Sequence, residues 1–200
     1  LDDYNDDAGN IKNQLFHADL LISQDIYEKK PINHLDIGSR IDGLVSHIAS
    51  YRKIDVIDIR NIDISPHKNI NFINKDINEF FDENIYDSIS SVGVLAHIGL
   101  GRYGDPIDPE GYRKAIKKIC EIAKKDGKIY IMVPVGKPGV EFNSHRVLDA
   151  KDIIEYFDIN QCKLENFHLV DDNGNLKINF DYNLTTHYNF AGGIFVFKKN

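Results

Sequence analysis

The sequence predicts an α/β domain: a seven-stranded, mostly parallel sheet with helices on both faces and an antiparallel hairpin at its C-terminal edge. Three observations predict it. Apolar runs of strand length alternate with segments of helical period through the first 160 residues, the pattern of a parallel sheet wound on both sides. From Lys163 onward the chain switches to strands joined by a turn at Asp171 to Asn175, with no helical crossover between them. The chain is 200 residues long and 42% hydrophobic, which suits a single domain with a full core.

Each element has its own signal. Ile11, Leu15, Ala18, Ile22 and Ile26 recur near helical spacing, so an amphipathic helix is expected from Ile11 to Lys30, ended by Pro31. The first ten residues are acidic and polar and read as a mobile arm. Residues 1–31 are therefore taken as arm and helix, and 32–200 as the α/β domain. Ile32 to Ile37 reads as the first strand, Gly38 and Ser39 as its turn, and Leu44, Val45, Ile48 and Ala49 as a short helix. Ile54 to Ile59 and Ile70 to Ile73 are strands two and three, β-branched and bounded by polar residues. A short helix follows near Ile77 to Phe81, then strand four from Tyr86 to Val94. Gly99 to Pro109 is a loop, and Asp108 with Pro109 suits a helix start. That helix is expected to reach about Lys125, with Ile116, Ile119, Cys120 and Ala123 on one face. Asp126-Gly127 turns into strand five, Lys128 to Val133, stopped by Pro134. Asp149 caps a helix through Tyr156, and Lys163 to Val170 and Gly193 to Phe197 complete the strands.

Composition narrows the function. Lys and Arg total 24 against 31 Asp and Glu, a formal charge of −7. An acidic balance argues against nucleic-acid backbone binding, which needs a basic face. No run approaches the roughly 18 to 20 apolar residues that span a membrane. Asp2, Asp3, Asp6 and Asp7 carry the wrong charge for a signal peptide, so a cytoplasmic location is expected. Two Cys far apart give no disulfide framework, and the His residues show no paired metal spacing. A small-molecule partner is left.

Ligands of open α/β sheets bind beyond the carboxyl ends of the strands. Those ends carry Asp36-Ile37-Gly38-Ser39-Arg40, then Asp58-Ile59-Arg60, then Asp76, then the loop from His97 to Asp108, and last Asn143-Ser144-His145-Arg146. Four of the six arginines, Arg40, Arg60, Arg102 and Arg146, fall here. Arg offers carboxylates and phosphates a rigid fork that Lys cannot reproduce. Gly38 lets backbone approach a ligand, and Asp58 lies twenty residues on, the spacing of an acid that accepts from ribose hydroxyls. The nicotinamide fingerprint G-x-G-x-x-G is absent.

From Ile32 to the C-terminus this arrangement resembles a class I S-adenosylmethionine (SAM) dependent methyltransferase. The resemblance implies a Rossmann-like seven-stranded sheet with a reversed C-terminal hairpin. It places Asp36 and Gly38 near the cofactor's methionine, Asp58 on its ribose, Asp76 beside its adenine, and His97 in the methyl-transfer cavity. Arg40 stands where a glycine is common; it either pairs with the methionine carboxylate or fills the cofactor's space. The runs LFHADLLIS (15–23), LDIGSRIDG (35–43), HIGLGRYGDPID (97–108) and FNSHRV (142–147) resemble a methyltransferase-like family known as "Caenorhabditis protein of unknown function". Bacterial members of that family are associated with surface-polysaccharide gene clusters, which implies a sugar or sugar nucleotide as substrate.

Each candidate has a bland reading beside the functional one. Asp76 before a helix serves as an N-cap, and Arg60 as a surface ion pair. The long loop packs His97, Arg102, Tyr103, Asp105 and Asp108 around glycines. It either braces itself, with Arg102 tied to Asp105 or Asp108, or forms a substrate floor. Asn143, His145 and Arg146 either bind substrate or clamp the following helix. The expected base is His97, with His145 and Asp105 as further candidates, and Arg102, Tyr103, Asp108, Asn143 and Arg146 are expected to hold the substrate. Against the methyltransferase stand a non-catalytic carbohydrate-binding or scaffolding module and a SAM-independent sugar-modifying enzyme.

Overall fold

A computed structural model of the chain describes residues 9, 11–63, 67–80 and 83–200. The expected arm over the first ten residues lies outside them, Gly9 excepted, and so does Phe81. The first helix, α1 (Gln14–Lys29), starts three residues later than its periodicity suggests, because Asn13 caps it by accepting from the Leu15 N–H. Lys30 closes it in the left-handed conformation, its N–H returning to the Ile26 carbonyl.

The strands then follow in chain order: β1 (His34–Ile37), β2 (Ile54–Asp58), β3 (Ile70–Asn74), β4 (Tyr86–Val92), β5 (Ala123–Val135), β6 (Gly139–Glu141), β7 (His145–Val147), β8 (Cys162–Val170), β9 (Leu176–Lys177) and β10 (Ala191–Lys199). The main sheet has the order β3-β2-β1-β4-β5-β10-β8-β9. Its first five strands are parallel, and β10 runs antiparallel between β5 and β8. This is the Rossmann-like, mostly parallel sheet with an antiparallel C-terminal pair. The seven expected strands are present, and the two-residue β9 adds an eighth at the edge.

Alternation along β5 shows why the sheet is covered on both faces. Ile129, Ile131 and Val133 point into a core with α3 (Gly111–Ile122) and α4 (Ala150–Ile159), while Tyr130 and Met132 point to the opposite core with α1 and α2 (Ser46–Ala49). Asp149 caps α4 as expected, accepting from the Lys151 N–H.

Three local expectations need correction and a hairpin is added; the first is the helix before β5, which ends at Ile122 rather than Lys125 because the chain is already extended from Ala123. Asp108 does not open α3: it accepts from Glu110 N and Gly111 N in a turn ahead of the helix, which begins at Gly111. Pro134 does not stop β5, since proline lacks only the donor and its carbonyl still accepts from Leu148 N. The segment after Pro134 is not all loop: β6 and β7 pair as a separate antiparallel hairpin, with Val140 opposite Arg146. No helix among the described residues is long and apolar enough to cross a membrane.

Candidate functional site

The chain runs outward through β1, β2 and β3, then returns to place β4 on the other side of β1. That reversal opens a crevice at the carboxyl ends of β1 and β4. A cleft of about 240 Å³ lies there, walled by α1, by the ends of β1 to β4 and by the loop after β4. A larger, more open depression of about 970 Å³ flanks it and shares Arg40, Asp58 and Arg60 with it. The smaller cleft gathers the chemistry.

Gly38 forms the cleft floor at a φ of 66°, and a Cβ there would lie 3.0 Å from a Val94 methyl. Only glycine keeps this floor open. Asp58 ends β2 in the cleft wall, where Arg60 grips both its oxygens: Nε on Oδ1 at 3.0 Å and Nη2 on Oδ2 at 2.6 Å. The Arg60 backbone N–H also donates to Oδ1 at 2.8 Å, so of about four lone-pair sites one, on Oδ2, is left for a ligand. Asp76 acts as the expected N-cap, its Oδ1 capping the turn Ile77–Glu79 through Asn78 N, and also reaches the cleft. Arg40 stands on the rim: Asp42 holds its exposed guanidinium by two hydrogen bonds, at 3.0 and 2.6 Å, so it does not fill the space beside Gly38.

On the opposite wall, His97 Nδ1 lies 2.6 Å from the Ser144 carbonyl oxygen. A carbonyl only accepts, so Nδ1 carries the proton and Nε2 offers a lone pair. Among the described residues Nε2 has no hydrogen-bond partner, and the residue lines the cleft. Burial holds the imidazole below its usual pKa against the raising effect of the Ser144 bond, with Arg102, His145 and Arg60 adding to the depression. His97 is therefore neutral at pH 7. Tyr103 meets the His97 ring edge-on, centroids 5.8 Å apart, while the Arg60 and Arg102 guanidinium carbons lie 4.7 and 5.3 Å from its ring centre. Arg102 also donates to the Ser144 carbonyl at 2.9 Å.

Asp105 lines the cleft but braces the loop, accepting from the N–H groups of Gly99, Gly101 and Tyr103. Burial would raise its pKa; those three donors hold it below the ordinary range, so it is a poor base. The loop braces itself through Asp105 and not, as expected, through Arg102.

Six expected site residues lie outside the cleft lining: Arg102, which reaches the Ser144 carbonyl instead, and five more. Asp36 is fully buried and accepts from Ser39 N, Ser39 Oγ and Ser90 Oγ, so it supports the first turn from beneath and does not face the cleft. Asp108 pairs with Lys114 at 2.6 Å on the outer side of its turn. Arg146 is 6% exposed; it donates to the Ile98 carbonyl at 2.6 Å and lies over Tyr112, which makes it a clamp between loops. Neither Asn143 nor His145 reaches the cleft wall. Asn143 is exposed on the β6–β7 turn, and His145 packs against Phe190, centroids 4.9 Å apart.

Sequence reasoning gave Ser144 and Asp19 no role, and read Arg60 only as the surface ion pair it forms with Asp58, although Arg60 also lines the cleft. The signal for Asp19 was present: it is an acid inside the apolar stripe Leu15, Ala18, Ile22, Ile26, at a position that packs inward. Among the described residues no group of three or more His, Cys, Asp or Glu gathers as a metal site.

A family model described as "Caenorhabditis protein of unknown function, DUF268" matches residues 45–155. No curated protein matches the chain. Among solved structures, the chain is similar to a 1,6-didemethyltoxoflavin-N1-methyltransferase from Burkholderia thailandensis, crystallised with bound 1,6-didemethyltoxoflavin and S-adenosylhomocysteine. The two share 12% identity at a TM-score of 0.69, over 94% of this chain and 79% of that one. The N-methyltransferase NodS from Bradyrhizobium japonicum, in complex with S-adenosylhomocysteine, matches at 14% identity and TM-score 0.65, over 98% and 91%. The cyclase SpnF matches at 14% and TM-score 0.64, over 90% and 80%. At these identities the likeness establishes the fold, and one fold hosts several chemistries.

Proposed function

The chain belongs to the family described as Caenorhabditis protein of unknown function, DUF268, and we propose that it is a cytoplasmic SAM-dependent methyltransferase. Its acceptor would be a small, anionic sugar or sugar nucleotide in surface-polysaccharide synthesis. The observation that carries this reading is the cleft at the sheet's reversal point, which sets Gly38, Asp58 and Asp76 on one side and a neutral His97 on the other. Neighbours of this fold hold S-adenosylhomocysteine.

The residues present fit the cofactor. Asp58 would take a ribose hydroxyl, Asp76 and Ile77 would flank the adenine, and Gly38 would admit the chain that follows. SAM supplies, when bound, an electrophilic methyl group. His97 Nε2 is placed to take the proton of an acceptor hydroxyl, and the Ser144 carbonyl fixes the tautomer that lets it do so. Arg102 and Arg60, both over Tyr103, supply positive charge where an anionic acceptor would enter. Incubation with methyl-labelled SAM and a panel of sugar nucleotides tests the reading; label should pass to at least one member. Turnover of the panel without SAM would select the SAM-independent alternative, which Arg60's grip on Asp58 favours.

A further inference from the structure

Asp19 has no task in the fold. It projects from α1, is 9% exposed and lines the cleft, yet among the described residues its carboxylate takes no hydrogen bond and no ion pair. Among the described residues no fully buried side-chain atom is left without a partner, so the Asp19 oxygens open onto the cleft, where a ligand can complete them. The charged groups facing it are His47 and Arg40 on the favourable side and Asp42 and Asp36 on the unfavourable side. Arg40 is already spent on Asp42. The chain also makes room for this acid: a Cβ on Gly43 would lie 2.7 Å from Asp19 Oδ2.

Position in the cleft tells which part of a ligand it meets. Asp58 and Asp76 stand at the β2 and β3 end. Asp19 stands at the other end, against Gly43, one helical turn after Leu15, whose methyl packs over Gly93 beyond β4. The acid that sequence assigns to that end, Asp36, is buried with its oxygens occupied. We propose that Asp19 is a specificity-determining residue that receives the ammonium group of an amino-acid-bearing nucleoside, so that the cleft distinguishes the complete cofactor from its truncated thioether. The inference rests on the SAM reading and deepens it. It also gives α1 a function: the helix carries the acid that completes the site. Burial pushes Asp19 up to about 6, so a cation arriving beside it would draw off its proton.

Calorimetric titration with two probes tests this. Decarboxylated S-adenosylhomocysteine keeps the ammonium and lacks the carboxylate; 5′-methylthioadenosine lacks both. The wild type should bind the amine at least tenfold tighter, a gap of about 1.4 kcal/mol. Asp19→Asn should close that gap and leave methylthioadenosine within threefold. Gly43→Ala, which displaces the acid without removing its charge, should narrow it. Equal affinity of the wild type for both probes, or an unchanged gap in Asp19→Asn, would overturn the assignment while leaving the SAM reading intact. Failure of the wild type to bind either probe would overturn both.

Discussion

Asp36 and Asp19 are carboxyls buried near the end of β1, and burial pushes both up to about 6. Their surroundings are opposite. Asp36 receives three hydrogen bonds from Ser39 and Ser90, whereas among the described residues Asp19 receives none. The histidines repeat the contrast. His34, inside the β1–β4 seam, is held down to about 3 by burial, and both its nitrogens are engaged by serines, Nδ1 with Ser88 and Nε2 with Ser90. Ser90 donates its own proton to Asp36, so His34 Nε2 must be the donor to Ser90, and its Nδ1 accepts from Ser88. His97, in the cleft wall, has one nitrogen engaged and one open. The seam and the cleft wall thus contain the same residue types, fully buried in the seam and less so at the wall. What separates scaffold from site is unspent hydrogen-bonding capacity facing a cavity.

Substitutions in the two regions should behave differently, and the largest effect should be catalytic. With an acceptor identified, His97→Ala should lower methyl transfer by about 10²- to 10⁴-fold, some 3 to 5 kcal/mol of barrier, with S-adenosylhomocysteine affinity little changed. Loss of binding and rate together would instead make His97 a structural residue like His34. Next in size is Asp36→Ala, which strands one N–H and two hydroxyls in the seam. A urea melt should show about 3 kcal/mol of lost stability. Equal stability of the variant and the wild type would remove the seam from the comparison.

Asp19→Asn should have the opposite sign. An acid whose folded pKa lies above its unfolded value binds its proton more tightly in the folded state. Its contribution is fully present below about pH 4 and is lost as pH rises through about 6. At pH 7 the wild type should therefore be less stable than Asp19→Asn by on the order of 2 kcal/mol, and the two melting curves should converge near pH 4. The Asp19 charge also helps to raise Asp36, so its removal eases Asp36 and adds to the difference in the same direction. A wild type more stable than the variant at pH 7 would mean that Asp19 has a partner. The smallest effect belongs to the rim. Arg40 and Asp42 are 64% and 72% exposed, so Arg40→Ala should change stability by less than about 1 kcal/mol. A melting-temperature drop of more than a few degrees would show that Arg40 is more than a rim residue.

The same contrast explains what could be read from the sequence. Strand and helix signals are local, so β1 to β5, α1, α4 and the antiparallel tail were legible from apolar period and punctuation. The β6–β7 hairpin was not, because three-residue strands flanked by Pro and Gly read as loop. At the site, Gly38, Asp58, Asp76, His97, Tyr103 and Asp105 sit in the cleft wall where strand-end position put them. Asp36, Arg102, Asp108, Asn143, His145 and Arg146 share that position, yet their side chains are engaged or directed elsewhere. Sequence places a carboxylate at a strand end; it does not say which donors have already taken its oxygens. Asp105 illustrates this, since three backbone N–H groups of its own loop turn an expected base into a brace. Arg60 erred the other way, its partner Asp58 being foreseeable and its seat over Tyr103 depending on tertiary packing.

The central claim is that the cleft between Gly38, Asp58 and His97 holds an adenosyl cofactor. Calorimetric titration of S-adenosylhomocysteine into the wild type and Asp58→Ala tests it most directly. One-to-one binding that weakens at least tenfold in Asp58→Ala is the predicted result, about 1.4 kcal/mol for the ribose contact. Absence of binding to the wild type at millimolar ligand, or equal binding by both proteins, would contradict it.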